Sequence, residues 1–388
     1  MFLSDDAKRI IELLNQSSYK AYAVGGCVRD AIMNRKISDY DITTSALPNQ
    51  VEIVLKNNGI KYVETGLKHG TITAVIDHKP YEITTFRTDG KYSDNRHPES
   101  VYFVTDIKDD LSRRDFTINA IAYNDKEGFV DLFGGIDDID KKIIKTVGDS
   151  DKRFNEDALR IMRALRFSSQ LGFSVEESTK NAIFKNKELL KNIANERIYS
   201  ELIKLLLGDN CSEVLKEYID VIYVIIPEIK DIYYDSLEFS PKTDYIRLAI
   251  LLKNTENYEK VLKRLRVSKD IFDKVTKLIR FSDCSISDKI DIKTVLNKIG
   301  GDLFFDLIEL KNVNDDDSDL ITIKEETKRI IQNNEPYRIK DLKINGNDLM
   351  NIGYEGKEIS EMLEFLLQEV IKNPNLNNKE ELIRISLK

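Results

Sequence analysis

The spacing of apolar positions along the chain changes near residue 150. Before it, short β-type runs alternate with turn residues. Lys20–Val24 reads as a strand, Gly25-Gly26 as a turn and Val28–Asn34 as a short helix. Tyr40–Thr43 reads as a second strand. Leu47–Asn57 reads as a helix with Pro48 in its first turn, where a missing N–H costs no hydrogen bond. Thr71–Asp77, Tyr81–Arg87 and Val101–Thr105 read as further strands. After residue 150 the helical period takes over. Asn155–Gln170 reads as one strong helix, capped by Asn155 and stopped by Gly172. Glu196–Leu207, Lys260–Val267, Ile271–Phe281 and Ile359–Ile371 follow. The acidic polar stretch 311–318 reads as a loop between helices. The expected fold class is therefore α+β: a mixed β-sheet with flanking helices over 1–150, followed by an all-α remainder.

Composition narrows the function classes. A length of 388 residues is a prior for two to four domains. The net charge of -8 argues against indiscriminate nucleic-acid binding, but it leaves room for a local basic cleft. Residues 141–170 supply one, with eight basic residues against four acids. Cys27, Cys211 and Cys284 are far apart and form no CxxC pair, so neither a zinc site nor a disulfide framework is indicated. The first residues carry acids with no apolar run behind them, and no apolar run is long enough to span a bilayer. A cytoplasmic protein without a membrane partner is expected.

The candidate chemistry begins at Gly25-Gly26-Cys27-Val28-Arg29-Asp30, between a strand and a helix. Two glycines let the backbone approach a phosphate chain, and a helix N-terminus offers free N–H groups. Alone, this is also how a tight turn would read. Asp39-Tyr40-Asp41 follows on the next strand. Residues two apart on a strand share a face, so Asp39 and Asp41 present paired carboxylates. Their repulsion is offset naturally by a hard divalent cation, here Mg2+. Glu82 lies on the strand Tyr81–Arg87 and is either a third ligand or an ordinary exposed glutamate. This pattern suits phosphoryl transfer by two metal ions. His69, His78 and His97 show no nucleophile or ligand spacing and are assigned no catalysis.

These residues resemble a known family. Gly25–Asp30 with Asp39-Tyr40-Asp41 is similar to the catalytic motif of the DNA-polymerase-beta-like nucleotidyltransferases. Arg113-Arg114-Asp115-Phe116-Thr117-Ile118-Asn119-Ala120, Asp131-Leu132-Phe133-Gly134-Gly135, the segment from Glu156-Asp157 to Arg166-Phe167, and Arg197 through Glu201 resemble four further motifs. Those motifs belong to the class II CCA-adding tRNA nucleotidyltransferases and the related bacterial poly(A) polymerases. Asn345–Met350 carries the resemblance close to the C-terminus. The resemblance implies a catalytic head (1–150), a helical neck with the nucleotide-selecting motif (151–210), a helical body (211–310) and a tRNA-binding helical tail (311–388). It implies that Gly26, Arg29 and Arg114 contact the triphosphate, with Gly25 beside them, and that Asp115 sits near the ribose. It also implies that Asp89–Ser100 is a loop helping to switch from C to A addition.

The fourth motif has a physical reading of its own. On one continuous helix Asp157 and Arg160 would share a face, continued by Arg163 and Arg166. Surface ion pairs Arg153–Asp157 and Glu156–Arg160 are the plainer reading. However, cytosine and adenine both present an amino donor beside a ring-nitrogen acceptor, and uracil and guanine invert that pair. A carboxylate only accepts and a guanidinium only donates, so Asp157 beside Arg160 matches C and A. Mispairing would cost on the order of 1–3 kcal/mol. Arg163 and Arg166 would hold the helix and the nucleotide phosphates. The expected reaction is addition of C, C and A to tRNA from CTP and ATP by a monomer or homodimer. A CC-adding or A-adding enzyme, a poly(A) polymerase, a silent RNA-binding protein and a small-molecule nucleotidyltransferase are the alternatives.

Overall fold

Ser4 opens the first helix, α1 (Asp5–Gln16), by accepting the Ala7 amide, and Asp5 and Asp6 lie at its positive end. Ile10, Ile11 and Leu14 are among the side chains it buries. In this computed structural model, residues 3–90, 100–312 and 318–387 are described. The chain forms two compact units, Met1–Pro227 and Glu228–Lys388.

In the first unit, β1 (Ala21–Val24) leads through Gly25 into α2 (Gly26–Ile32). Then come β2 (Tyr40–Thr44), α3 (Pro48–Asn57), β3 (Lys61–Gly66), β4 (Thr71–Ile76) and β5 (Lys79–Thr85). A small hairpin, β6 (Arg87–Asp89) and β7 (Val101–Phe103), precedes α4 (Ile107–Ser112). β8 (Ile121–Asn124) and β9 (Gly128–Asp131) complete a seven-stranded sheet of order β3-β4-β5-β2-β1-β8-β9. The sheet is mixed because β2 and β5 run parallel while their neighbours pair antiparallel. On one side Tyr22, Val24, Phe86 and Ala122 pack with Ile107 and Leu111 of α4, so this core holds α4 under the catalytic end of the sheet. Apolar burial of this kind contributes about 25 cal/mol per Å2.

The helical part of the first unit starts at α5 (Gly135–Asp140) and β10 (Ile143–Ile144) and continues with α6 (Ser150–Glu156) and α7 (Leu159–Leu171). β11 (Ser174–Val175) pairs parallel with β10, and α8 (Glu177–Asn186) and α9 (Asn195–Leu206) follow. The second unit is helical, and Leu342, Leu349, Leu363, Leu366, Leu367, Val370 and Leu382 form one of its cores. No helix among the described residues is long and apolar enough to cross a membrane.

The expected α+β architecture is present, with two departures, and two expected loops fall largely outside the described residues. β3, β8 and β9 carry weak strand patterns and were not among the expected strands. The expected single helix Asn155–Gln170 is two helices, α6 and α7, because Asp157 takes an extended backbone conformation, φ -138 and ψ 103. Its carboxylate accepts the Leu159 amide and thereby starts a new helix instead of continuing the old one. Finally, most of the expected switching loop Asp89–Ser100 and of the expected loop 311–318 lies outside the described residues.

Candidate active site

Gly25 stands at the turn between β1 and α2 with φ 78 and ψ -131, a conformation open to glycine. A Cβ here would also lie 3.0 Å from Nη1 of Arg114. The turn therefore brings the backbone of the first motif against the arginine of the second. Beyond it, Asp41 on β2 and Glu82 on β5 are register partners in the parallel pair. Asp39 lies just before β2, two residues ahead of Asp41, close enough for its charge to act on the Asp41 carboxyl. The strand pairing thus sets Glu82 alongside Asp41, on the acidic face of the sheet.

The electrostatics reflect this crowding. The Asp41 carboxyl is accessible yet recessed, and this desolvation pushes its pKa up. Arg114 opposes the rise, and the neighbouring charges of Glu82 and Asp39 add to it. Among the described residues, no group of three or more His, Cys, Asp and Glu side chains forms a preassembled metal cage. The donor set is nonetheless oxygen-only, like-charged and open on one side, which is what a hard divalent ion accepts. On the reverse of the same strands, Tyr40 and Tyr81 stack with centroids 5.9 Å apart. The Tyr40 hydroxyl accepts the Ser4 amide at 3.2 Å, and Tyr81 donates to Asp6 at 3.0 Å. Helix α1 therefore holds the strands from behind while the acids face forward.

The second motif is an ionic scaffold. Asp110, fully buried on α4, accepts Arg113 at 2.8 and 3.1 Å, Arg114 at 3.3 Å and the Thr43 hydroxyl at 3.2 Å. Burial would raise its pKa, but Arg114 and Arg113 outweigh burial and hold it below the usual carboxylate range. Arg113 and Arg114 are accordingly half-buried and anchored, not solvated. Asp115 accepts the Phe116 amide and Asn119 on one oxygen, and Arg163 twice on the other, at 2.8 and 2.6 Å. Burial pushes Asp115 up as well, yet Arg163 and Asn119 win and keep it well below the usual range. Asn119 also accepts Arg29 at 2.7 Å, and Arg29 donates to Asp30 at 2.8 and 2.9 Å. One chain of hydrogen bonds thus runs Asp30–Arg29–Asn119–Asp115–Arg163, from α2 to α7.

Phe167 is the second centre of this network. The guanidinium carbons of Arg29, Arg163 and Arg166 lie 5.1, 5.4 and 4.2 Å from its ring centroid. Burial and the neighbouring Arg163 pull Arg166 down to about 10, so it still carries its charge at neutral pH. Arg166 approaches Glu201 to 2.9 Å, an ion-pair distance without hydrogen-bond alignment at that oxygen. Three arginines gather on one ring, each beside one carboxylate, so the cluster behind the glycine turn is charge-balanced and largely buried.

The neck residues depart from the expectation. Asp157 and Arg160 do not share a helical face, because Asp157 precedes α7. The pair Glu156–Arg160 forms at 2.8 Å, but Arg153 also turns to Glu156, at 2.7 Å, rather than to Asp157. Arg160 further donates to the Arg153 and Arg113 carbonyls at 3.1 and 3.0 Å. Asp157 pairs instead with Arg197 of α9 at 3.1 Å. Arg163 and Arg166 point their charges at Asp115 and Glu201. Asp110, Asn119, Phe167 and Arg197 were missed as site residues. Asn119, Phe167 and Arg197 lie within the quoted motifs without a role of their own, and Asp110 carries a local signal, its i,i+3 and i,i+4 spacing to Arg113 and Arg114.

Comparison with known proteins adds a frame to this geometry. Residues 21–145 match the family model described as the poly A polymerase head domain. Residues 240–385 match tRNA nucleotidyltransferase domain 2, and residues 172–232 match "Probable RNA and SrmB-binding site of polymerase A". A CCA-adding enzyme of Staphylococcus haemolyticus is 37% identical over 98% of this chain and 97% of its own. One from Ligilactobacillus salivarius is 39% identical over 96% of this chain and 94% of its own. Among solved structures, the Bacillus stearothermophilus CCA-adding enzyme in complex with CTP superposes with a TM-score of 0.84. It is 30% identical and covers 98% of this chain and 96% of that one.

Proposed function

The chain belongs to the CCA-adding enzyme family, and we propose that it adds C, C and A to tRNA 3′ ends from CTP and ATP, releasing pyrophosphate. It would act in the cytoplasm as a monomer or homodimer. The observation that carries the chemistry is the parallel register that sets Glu82 beside Asp41, with Arg114 also acting on that carboxylate. Asp39 and Asp41, joined by Glu82, would hold Mg2+. When bound, that ion supplies Lewis-acid activation of the attacking hydroxyl and neutralises charge on the triphosphate. The Gly25-Gly26 turn admits a phosphate chain to the α2 N-terminus. Arg29 and Arg114 flank it, where their guanidinium groups would meet a nucleoside triphosphate.

Nucleotide choice falls to the junction of α6 and α7. There the Asp157 carboxylate is an acceptor for an exocyclic amine, and the Arg160 guanidinium is a donor for a ring nitrogen. Two elements deliver these groups: the carboxylate comes from the helix break and the guanidinium from the first turn of α7. Glu156 and two carbonyls fix Arg160 before any base arrives. Such preorganisation limits what ordering must cost on binding. Asp115 sits at the centre of the ion network and holds Arg163, with the ribose placed next to it on this reading. Arg163 and Arg166 hold α7 in place and contribute charge toward the phosphates. The head, neck, body and tail division at 150, 210 and 310 completes the reading, with tRNA along the helical parts. The matches to RNA-binding and tRNA nucleotidyltransferase models support this placement.

The test uses magnesium and tRNAs ending before CCA, after C and after CC, each offered one nucleotide at a time. The expected outcome is C, C, then A, then arrest. Continued A addition points to a poly(A) polymerase, and failure on the CC-ended tRNA points to a CC-adding enzyme. Asp41→Ala is expected to abolish all transfer while tRNA binding persists.

A further inference from the structure

Asp157 is an unusual place to put a group that must choose between bases. It lies between α6 and α7 with an extended backbone, so neither helix fixes its rotamer. A carboxylate that can turn freely accepts from an amine in many poses and reads poorly. In the structure it cannot turn. Its Oδ1 accepts the Leu159 amide at 3.1 Å, and its Oδ2 accepts Nη2 of Arg197 at 3.1 Å. Arg197 is carried on α9, a helix whose Ile198, Leu202, Leu205 and Leu206 are buried, so the donor is anchored by packing.

We infer that Arg197 is a positioning residue for nucleotide selection: it locks the Asp157 carboxylate in the orientation that accepts an exocyclic amine. The inference rests on the proposal that Asp157 reads that amine. A carboxylate offers about four lone-pair sites. The amide and Arg197 take one on each oxygen, which leaves sites for the base while both oxygens stay pinned. Arg153 does not substitute, because it is committed to Glu156 and to the Val147 and Ser112 carbonyls. Arg163 lies near enough to act on Asp157 by charge, but both its hydrogen bonds go to Asp115. Arg197 alone among these arginines is hydrogen-bonded to the Asp157 carboxylate in the structure. Tethering Asp157 to α9 also makes selection depend on a helix that carries no other proposed base contact.

The experiment compares kcat/KM for CTP and UTP on a tRNA ending before CCA, and for ATP and GTP on one ending in CC. Variants are Arg197→Met, Arg197→Lys and Asp157→Ala in the full chain. Each result is a ratio within one preparation, so a loss of folded enzyme cancels from it. Arg197→Met is expected to lower both the C-over-U and the A-over-G ratio about tenfold, the scale of a hydrogen bond to a charged group. Arg197→Lys keeps the charge and is expected to recover most of the ratio. A merely structural arginine would depress all four values together and leave the ratios at the wild-type level. If Asp157→Ala loses selection while Arg197→Met retains it, the positioning role is overturned and the base-reading role of Asp157 stands. If Asp157→Ala itself retains selection, the reading under it fails and the inference falls with it.

Discussion

Replacing Asp115 by asparagine tests whether the ion network between α2 and α7 stabilises the fold. The two side chains are nearly isosteric, so the change removes charge without opening a cavity. With its amide oxygen on the Phe116 and Asn119 side, the introduced carboxamide would direct an NH2 group at the Arg163 guanidinium, donor against donors. Removing one partner of a buried pair typically costs about 3–5 kcal/mol. The Arg163 side chain retains 32% exposure and can be partly rehydrated, which brings the expected loss to about 2–3 kcal/mol. For a unit of this size, about 2–4 °C per kcal/mol gives a Tm drop of roughly 5–10 °C. A cycle with Arg163→Met and the double variant isolates the pair, with an expected coupling of about 2 kcal/mol. The pH dependence has a defined sign. Asp115 is held below its ordinary value in the folded chain, so its contribution is fully present above the unfolded pKa of about 3.9. It is lost as pH falls toward the folded value. The Tm gap between wild type and Asp115→Asn should therefore be constant from about pH 7 to about 5 and shrink below about 4. Calorimetry across that range checks it. A coupling near zero, or a gap that widens on acidification, would refute the network as a stabilising unit.

Two further outcomes follow from the site. Glu82→Gln removes one of the charges that raise Asp41, so the metal-free protein in chelator should melt no lower than wild type. The thermal shift on adding Mg2+ should shrink, and transfer at limiting Mg2+ should fall about tenfold or more; an unchanged Mg2+ dependence would remove Glu82 from the site. Gly135→Ala places a Cβ 2.2 Å from the Thr117 carbonyl oxygen, where only backbone movement could make room. An overpacking cost of about 1–3 kcal/mol is expected. Gly134→Ala meets no atom and suffers only from φ 74, so it should be the milder of the two in thermal melts.

The parts of the site that sequence made legible were those written in local spacing. Gly25-Gly26 at the head of a helix, and Asp41 on a strand with Asp39 just before it, each follow from the geometry of one element. The placement of Glu82 was not legible, because parallel pairing of β2 with β5 sets its register at long range. Asn119 and Phe167 stand in quoted motifs, but their contacts were not legible for the same reason, since these reach across α2 and α7. The break at Asp157 was hidden by a true helical period on both sides of it. An aspartate two residues before Leu159 is a good helix-starting residue, and that signal competed with the periodicity and lost. Likewise Arg197 has Glu201 four residues on as its local partner in sequence, and its pairing with Asp157 comes from the packing of α9 against the α6–α7 region. β3, β8 and β9 were missed because each is short or half exposed, and only the neighbouring strands define it as part of the sheet.

The pairing of Tyr40 with Tyr81 and of Asp41 with Glu82 ties the chemistry to the correctness of folding. A slip of β5 by one residue against β2 would turn its side chains over, sending Glu82 inward toward α1 and Tyr81 out toward Asp41. A buried, unpaired Glu82 carboxylate would then oppose the slip, and Asp6 would lose its Tyr81 partner on the reverse side. The stacked tyrosines and the N-terminal helix thus favour the register that sets Glu82 beside Asp41. A chain in the wrong register is both unstable and inert, so few molecules should persist that are folded and yet defective in transfer.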